Sequence, residues 1–252
     1  MKKILSGKNI VKTYGKEQEA ANALNHVDLE ISAGEFVAVM GPSGCGKSTL
    51  LFALSGTDTI NSGQIEFDGQ ELSGLNENAL ADIRRTKMGF VFQQPTMLKN
   101  LNILDNIIIS SVQDDRKKAK NITLKAKKLL KDTGLSGLDD RDITEVSGGQ
   151  LQRAGICRAL MNEPEILFAD EPTGALNSKS SEEIMDIFTA INKKGTAILL
   201  VTHDAKVASR AEKVLFMKDG KIEAEIFLGK FDGNGDRKRV DQVMLRMKDF
   251  EI

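Results

Sequence analysis

One run of residues, Gly41-Pro42-Ser43-Gly44-Cys45-Gly46-Lys47-Ser48-Thr49, constrains this chain more than any other. It satisfies the phosphate-loop pattern G-x-x-x-x-G-K-[ST] from Gly41 through Gly46 and Lys47 to Ser48. The apolar run Phe36-Val37-Ala38-Val39-Met40 before it predicts a buried strand. Leu50-Leu51-Phe52-Ala53-Leu54 after it predicts the first turns of a helix. In that context the glycines let the backbone wrap tightly, so that successive N–H groups point at one phosphate chain. The helix N-terminus adds positive potential at the same place. Lys47 is placed to neutralise the β- and γ-phosphates, and the Ser48 hydroxyl to ligate Mg²⁺.

Composition narrows the class. The chain has 252 residues, enough for one large domain or two modest ones. Hydrophobic residues at 40% and charged residues at 28% fit a soluble globular protein. A formal net charge of −1 leaves no electrostatic footprint for nucleic acid, and no nucleic-acid partner is expected. No apolar run approaches the roughly 20 residues that cross a bilayer, and the first residues lack a signal-peptide core. Cys45 sits inside the phosphate loop, where a disulfide would distort it, so a reducing cytosol is expected. No Cys/His cluster supports a zinc site.

The pattern along the chain changes twice. In the first third, Ile10-Val11 and residues 24–31 predict half-buried strands. Residues 64–69 predict a strand ending in a hairpin turn, 76–87 a surface helix and 88–92 a short strand. Residues 114–131 interleave Leu124, Leu129 and Leu130 with lysines. That pattern favours an amphipathic helix with a solvated basic face over an RNA- or lipid-binding patch. Thr133-Gly134-Leu135 reads as its stop. Residues 94–160 thus predict a mainly helical insert. The last third returns to α/β, with strands over 165–169 and 197–202 around a helix over 178–193. Residues 213–217 and 221–227 flank the turn Lys218-Asp219-Gly220, a hairpin signal. Beyond residue 229 a polar, flexible linker leads to a helix over 240–248. Asp232-Gly233-Asn234-Gly235-Asp236 imitates the start of a calcium loop, but Arg237 and Val243 stand where Gly and Glu are needed, and calcium is rejected.

Five further segments fall in a particular order: Lys12-Thr13-Tyr14-Gly15, Gly89-Phe90-Val91-Phe92-Gln93, Ser147-Gly148-Gly149-Gln150, Ile166-Leu167-Phe168-Ala169-Asp170-Glu171, and His203 after an apolar strand. On these residues the chain resembles the nucleotide-binding subunits of ATP-binding cassette (ABC) transporters, over about residues 5–227. The SGGQ tetrapeptide before the carboxylate strand discriminates this family from other phosphate-loop families. The resemblance implies an α/β fold: a P-loop NTPase core with an N-terminal antiparallel β subdomain and an inserted α-helical subdomain. It implies one ATPase domain over 1–228, with core and β subdomain in 1–93 and 161–228, the helical subdomain in 94–160, and a linker and short helix in 229–252.

The resemblance also assigns roles. Asp170, at the end of an apolar strand, holds Mg²⁺, usually through its waters. Glu171 polarises the attacking water as general base, and His203 holds the γ-phosphate and that water in line. Gln93 contacts Mg²⁺ and water and senses the membrane partner; Gln94 beside it is the rival, and the Phe-Val-Phe strand favours Gln93. Tyr14, the only tyrosine, stacks on adenine, with a core tyrosine as the alternative. Ser147, Gly148, Gly149 and Gln150 form a second anion site that caps the ATP bound by the other subunit. A head-to-tail homodimer closing on two ATP follows, bound to the inner face of the membrane through a separate permease.

Two positions depart from the family. Val146 precedes Ser147 where Leu is usual, and Asn177 stands where Asp is usual in the loop after the carboxylate strand. Asn keeps the hydrogen-bonding shape and loses the charge, which predicts altered turnover or cross-site coupling. Cys45, among phosphate-facing amides at a helix N-terminus, is expected to have a lowered thiol pKa. The segments around Gln93 and Asp170 look like the lipoprotein-releasing, macrolide-efflux and bacitracin-resistance branch, whose permeases are FtsX-like. Residues 95–106, with Met97, Leu98, Leu101 and Ile103, are a candidate docking surface for the permease or, equally, core. Two other classes stay open: a soluble translation or DNA-repair ATPase, against which stand the single cassette and the lack of heptad insertions, and a regulatory cassette without bulk transport.

Overall fold

Two sheets with different pairing meet around the phosphate-loop helix. The computed structural model describes residues 2–15, 21–114, 116–233 and 236–250. β1 (Lys3–Tyr14) pairs antiparallel with β2 (Ala21–Ser32). β3 (Phe36–Met40) then leads through the phosphate loop into α1 (Lys47–Leu54). β4 (Ser62–Phe67) returns to β1 antiparallel, and β5 (Gln70–Glu71) closes the four-stranded sheet in the order β2-β1-β4-β5. α2 (Glu77–Lys87), capped by the Asn76 side chain, precedes β6 (Met88–Phe92).

Three helices form the insert: α3 (Ile103–Asp114), α4 (Ala119–Asp132) and α5 (Gly148–Leu160). β7 (Ile166–Asp170), α6 (Ser178–Lys193), β8 (Ala197–Val201), α7 (Ala205–Ala208) and β9 (Lys213–Lys218) restore the α/β alternation. β10 (Lys221–Phe227) and α8 (Asp236–Asp249) follow. The second sheet runs β10-β9-β3-β8-β7-β6, parallel throughout except for the β9–β10 hairpin.

The central strands read as continuous apolar runs because both of their faces are covered. Period-two alternation divides them between two cores. Val37, Val39, Ile166, Phe168, Leu199 and Val201 join the cluster shared with α1 and the antiparallel sheet. Phe36, Ala38, Met40, Leu167, Ala169, Ile198 and Leu200 join the cluster under α6, α7 and α8. A third cluster, with Ile107, Leu130, Ala154 and Cys157 at its centre, makes the helical insert a core of its own. Gln152 on α5 ties it to the sheet by donating to the Phe92 carbonyl at 2.9 Å.

The lysine-rich α4 behaves as a solvated face. Lys125 pairs with Glu163 at 2.6 Å and Lys127 with Asp139 at 2.8 Å, both at the surface. Ile103, counted among the candidate docking residues, is core at 1% exposure, whereas Leu98 is exposed. Buried Asn106 shapes that segment: its amide donates to the carbonyls of Leu98, Leu101 and Asn102, and its oxygen accepts from the Leu98 N–H.

The tail departs from the expectation of a flexible linker and a helix over 240–248. α8 begins at Asp236 and packs on the core. Val243 is fully buried, Phe250 stacks on Phe216 at 5.7 Å, and the buried Arg239 anchors the helix. Of the rejected calcium loop, residues 234–235 lie outside the described residues.

Candidate functional site

The phosphate loop is shaped by contacts that tolerate no side chain at two glycines. A Cβ on Gly41 would lie 2.2 Å from the Met217 carbonyl oxygen. Gly46 has φ 103, and a Cβ there would meet the Ala23 oxygen at 2.1 Å. Gly46 is also the N-cap of α1 and offers no side-chain cap, so the first-turn amides are left for a ligand in the cleft. Lys47 folds back over the loop and donates to the carbonyls of Gly41 at 2.9 Å and Pro42 at 2.8 Å.

Strand parity delivers the carboxylates. Ile166 and Phe168 face the α1 side of the sheet, so Asp170, two residues on, faces it too. There the Ser48 hydroxyl donates to Asp170 Oδ1 at 3.0 Å. Burial pushes the Asp170 carboxyl above its ordinary value; the Ser48 hydrogen bond and Lys47 oppose this, and the charge of Glu171 adds to it. Glu171 would point to the opposite face if the strand continued. Instead it adopts φ 45, while its N–H still bonds the Val201 carbonyl at 3.0 Å. A left-handed non-glycine residue marks local strain held by its surroundings. The turn brings Glu171 Oε2 within 2.9 Å of His203 Nδ1.

His203 is itself positioned. The Thr202 hydroxyl accepts from the Asp204 N–H at 3.0 Å, and the Asp204 carboxylate caps α7. Gln93 follows β6, whose Phe92 pairs with Asp170. A Cβ on Gly174 would stand 2.8 Å from Gln93 Nε2 and 3.2 Å from Glu171 Oε2, so those two side chains meet over Gly174.

A cleft of about 610 Å³ joins these parts. Its walls include Tyr14, Gly41, Ser43, Gly44, Gly46, Lys47, Ser48, Thr49, Glu171 and His203. Tyr14 is 48% exposed, which removes the core-tyrosine alternative, and its hydroxyl donates to Asp58 Oδ2 at 2.6 Å. Sequence reasoning missed Asp58, Thr202 and Gly174. Asp58 lies 44 residues from Tyr14, and no local pattern announces the pairing.

One expectation changes. Cys45 is 6% exposed and does not line the cleft, and burial holds its thiol above the ordinary value despite Lys47 nearby. The expected lowering fails because burial of the inward-turned thiol outweighs Lys47 and the backbone N–H groups of Lys47 and Cys45. Ser147, Gly148, Gly149 and Gln150 do not line the cleft either. They open α5 with a reciprocal capping box: the Gln150 N–H donates to Ser147 Oγ at 3.3 Å, and the Ser147 N–H to Gln150 Oε1 at 2.8 Å. Gly149 packs on Ser180, and Asn177 caps α6 by accepting from the Ser180 N–H at 2.9 Å. His26 bonds Asn9 at 2.6 Å and is structural.

The ABC transporter family profile matches residues 24–174. The chain is 43% identical over 219 residues to an uncharacterized ABC transporter ATP-binding protein of Methanocaldococcus jannaschii, covering 87% of this chain and 97% of that one. It is 40% identical over 229 residues to the bacitracin export ATP-binding protein BceA of Halalkalibacterium halodurans, covering 90% and 89%. The macrolide export ATP-binding/permease protein MacB of Pasteurella multocida is 42% identical over 86% of this chain, which spans 33% of that longer protein. Among solved structures, a dimeric bacterial ABC transporter cassette superposes with TM-score 0.84 at 38% identity, covering 90% of this chain and all of that one. The same cassette in a dimeric post-hydrolysis state with ADP and Pi gives 0.81. The chain belongs to the ATP-binding subunits of ABC transporters, in the branch of the macrolide and bacitracin exporters, and it is an ATPase.

Proposed function

We propose that this chain powers a separate FtsX-like permease that exports or extracts antimicrobial peptides, lipids or lipoproteins from the membrane. The observation that carries the reading is the division of the site. The phosphate loop, Glu171 and His203 share one cleft, with Asp170 bonded to Ser48 in its wall, while the Ser147 motif opens a helix that does not reach it. A second copy, head to tail, supplies the missing wall. Ser147 Oγ already accepts from Gln150, so its own proton is the one left to donate to a phosphate across the dimer.

The residues fit MgATP. Ser48 and Asp170 set two hard oxygens 3.0 Å apart beside the loop. Among the described residues no group of three or more His, Cys, Asp or Glu could hold a metal. One carboxylate with phosphates and waters is what Mg²⁺ takes, rather than an all-protein cage. Ser48, Asp170 and Gln93 would hold the ion, which would supply charge neutralisation for the phosphates when bound. Tyr14 stacks on the base, Lys47 and the backbone N–H groups of the loop from Gly41 to Thr49, Pro42 having none, hold the phosphates, and Glu171 accepts the proton of the attacking water. His203, bonded to Glu171, keeps that water in line.

Residues 1–228 then form the ATPase domain, and the subunit lies on the inner face of the membrane through its permease. Among the described residues no helix is long and apolar enough to cross a membrane. A groove of about 460 Å³ between the two subdomains, lined by Arg84, Phe90, Phe92 and Arg158, adjoins residues 95–106 and suits a permease segment. Arg158 donates to the Thr96 carbonyl there at 2.6 Å.

The test is gel filtration of Glu171→Gln with MgATP, alongside co-purification of the membrane partner. A nucleotide-dependent dimer that Ser147→Arg abolishes is expected. A monomer at saturating MgATP would overturn the head-to-tail reading. A captured partner whose substrate flux is independent of ATP turnover would favour signalling over transport.

A further inference from the structure

Tyr14 stands near the end of β1, followed by Gly15 at φ 95, and is half exposed. A side chain in that position ordinarily samples several staggered rotamers. Here four contacts, two of them made by Tyr14 itself, remove that freedom. The phenol hydroxyl donates to Asp58 Oδ2 at 2.6 Å. The other oxygen of the same carboxylate accepts from Lys12 Nζ at 2.7 Å, and Lys12 also donates to the Thr59 carbonyl at 2.5 Å. Lys12 lies two residues before Tyr14 on β1, hence on the same strand face. Its ammonium sits over the Tyr14 ring, 4.9 Å from the centroid. One ring face is therefore taken by a cation, and a base has only the other.

The loop that carries Asp58 is fixed at both ends. Thr57 and Asp58 donate their N–H groups to the Phe52 carbonyl in α1, at 2.9 and 3.1 Å. Asn61 donates to the Val11 carbonyl at 2.8 Å, and its side chain accepts from the Thr13 N–H at 2.8 Å. The helix that begins in the phosphate loop thus ends in the loop that grips the aromatic ring. Base platform and phosphate cradle are joined through α1 rather than only through the antiparallel sheet.

We infer that Asp58, backed by Lys12, is a positioning residue for nucleotide binding: it holds the Tyr14 ring in the orientation that receives the base and couples it to α1. The inference rests on Tyr14 being the base platform. Two charge effects agree with the geometry. The hydrogen bond to Asp58 raises the Tyr14 phenol above its ordinary value. Burial pushes Asp58 up, but the bonds from Lys12 and Tyr14 outweigh it and hold the carboxylate below its ordinary value.

An immobilised ring contributes affinity because its ordering is done before the ligand arrives. Asp58→Ala should weaken ATP binding about three- to tenfold, the range for one rotamer-rich side chain. Inorganic tripolyphosphate, which uses the phosphate loop and has no base, should bind Asp58→Ala as it binds the parent. KM for ATP should rise more than kcat falls. Asp58→Asn, which keeps the shape and one acceptor, should show a smaller loss of the same kind. In a Tyr14→Ala background, Asp58→Ala should add nothing. The chain has one tyrosine and no tryptophan, so its intrinsic emission reports Tyr14 alone. The anisotropy of that emission should fall in Asp58→Ala while far-ultraviolet circular dichroism stays constant.

Equal weakening of ATP and tripolyphosphate would overturn the inference, as would additivity with Tyr14→Ala or unchanged anisotropy. Tyr14→Ala with undiminished ATP affinity would overturn the adenine reading, and the inference with it. Tyr14→Ala weakened with Asp58→Ala unaffected would overturn the inference alone.

Discussion

Arg239 offers the sharpest test of how the tail is joined to the catalytic core. Its guanidinium donates to four backbone carbonyls: Ser209, Leu228 and Ala211 at 2.7 Å, and Gly229 at 3.0 Å. Two of these acceptors, Ser209 and Ala211, close the short α7 that begins just after His203. Phe231 is stacked by Arg239 at 5.5 Å and Arg210 at 4.4 Å. In Arg239→Ala the carbonyls lose a charged donor. Such bonds contribute about 1.5–3 kcal/mol each in isolation, but their sum overstates the loss, because an undocked tail rehydrates its carbonyls. The ceiling is the docking energy of α8. Val243 is fully buried, Met247 and Phe250 are partly so, and the ordering of a 14-residue helix opposes them. With about 1.5–3 kcal/mol per fully buried apolar side chain, the expected loss is about 3 kcal/mol. For 252 residues, an unfolding entropy of about 2.1 cal/mol/K per residue turns that into a fall in Tm of about 6 °C. Scanning calorimetry without nucleotide measures it. Arg239→Lys, which keeps the charge but not the planar fork, should lose about half as much. Arg246→Ala, whose partner Asp249 is exposed, should stay within about 1 °C. An Arg239→Ala protein that melts within about 1 °C of its parent would refute the reasoning.

Further outcomes follow from the site. Gly174→Ala forces a methyl between Gln93 and Glu171, so kcat should fall about tenfold or more with ATP binding kept; unchanged kcat in steady-state phosphate release would show that the two side chains give way freely. Asn177→Asp keeps the α6 cap and should leave Tm unchanged, whereas Asn177→Ala should lose about 1 kcal/mol. If the missing charge matters for cross-site coupling, Asn177→Asp alters ATPase kinetics, and identical kinetics would remove that idea. Cysteine alkylation should be slow at pH 7.4 without nucleotide, because burial raises both thiols, Cys157 to about 11. The rate should climb as pH rises toward those values, since the thiolate is the reactive form; mass spectrometry that finds Cys45 fully labelled within minutes at neutral pH would contradict its burial.

Much of the fold was legible because it is written in local patterns. The predicted helix over 178–193 and the strand over 88–92 coincide with α6 and β6. The helix lies between two apolar strand runs, and the strand is a short apolar run bounded by polar residues. The phosphate loop and the Asp170-Glu171 pair were equally visible, since each depends on contiguous residues. The tail was misjudged for the opposite reason. Its anchor is one charged residue in a polar stretch, and nothing in the sequence around residue 239 says that four carbonyls from two segments, 209–211 and 228–229, converge on Arg239.

The sequence by itself determined the chemistry: a triphosphate loop, a carboxylate pair at a strand end, a histidine and a second anion motif, in an order that names the family. It determined which face of β7 carries Asp170, because side-chain parity is a property of the chain. The tertiary structure decided where that chemistry is aimed. It turned Glu171 onto His203 through a left-handed residue, turned the Cys45 thiol inward against its expected reactivity, and pinned Tyr14 to α1 through Asp58. These are contacts between residues far apart in the chain, set by which elements pack together, and local patterns carry no record of them.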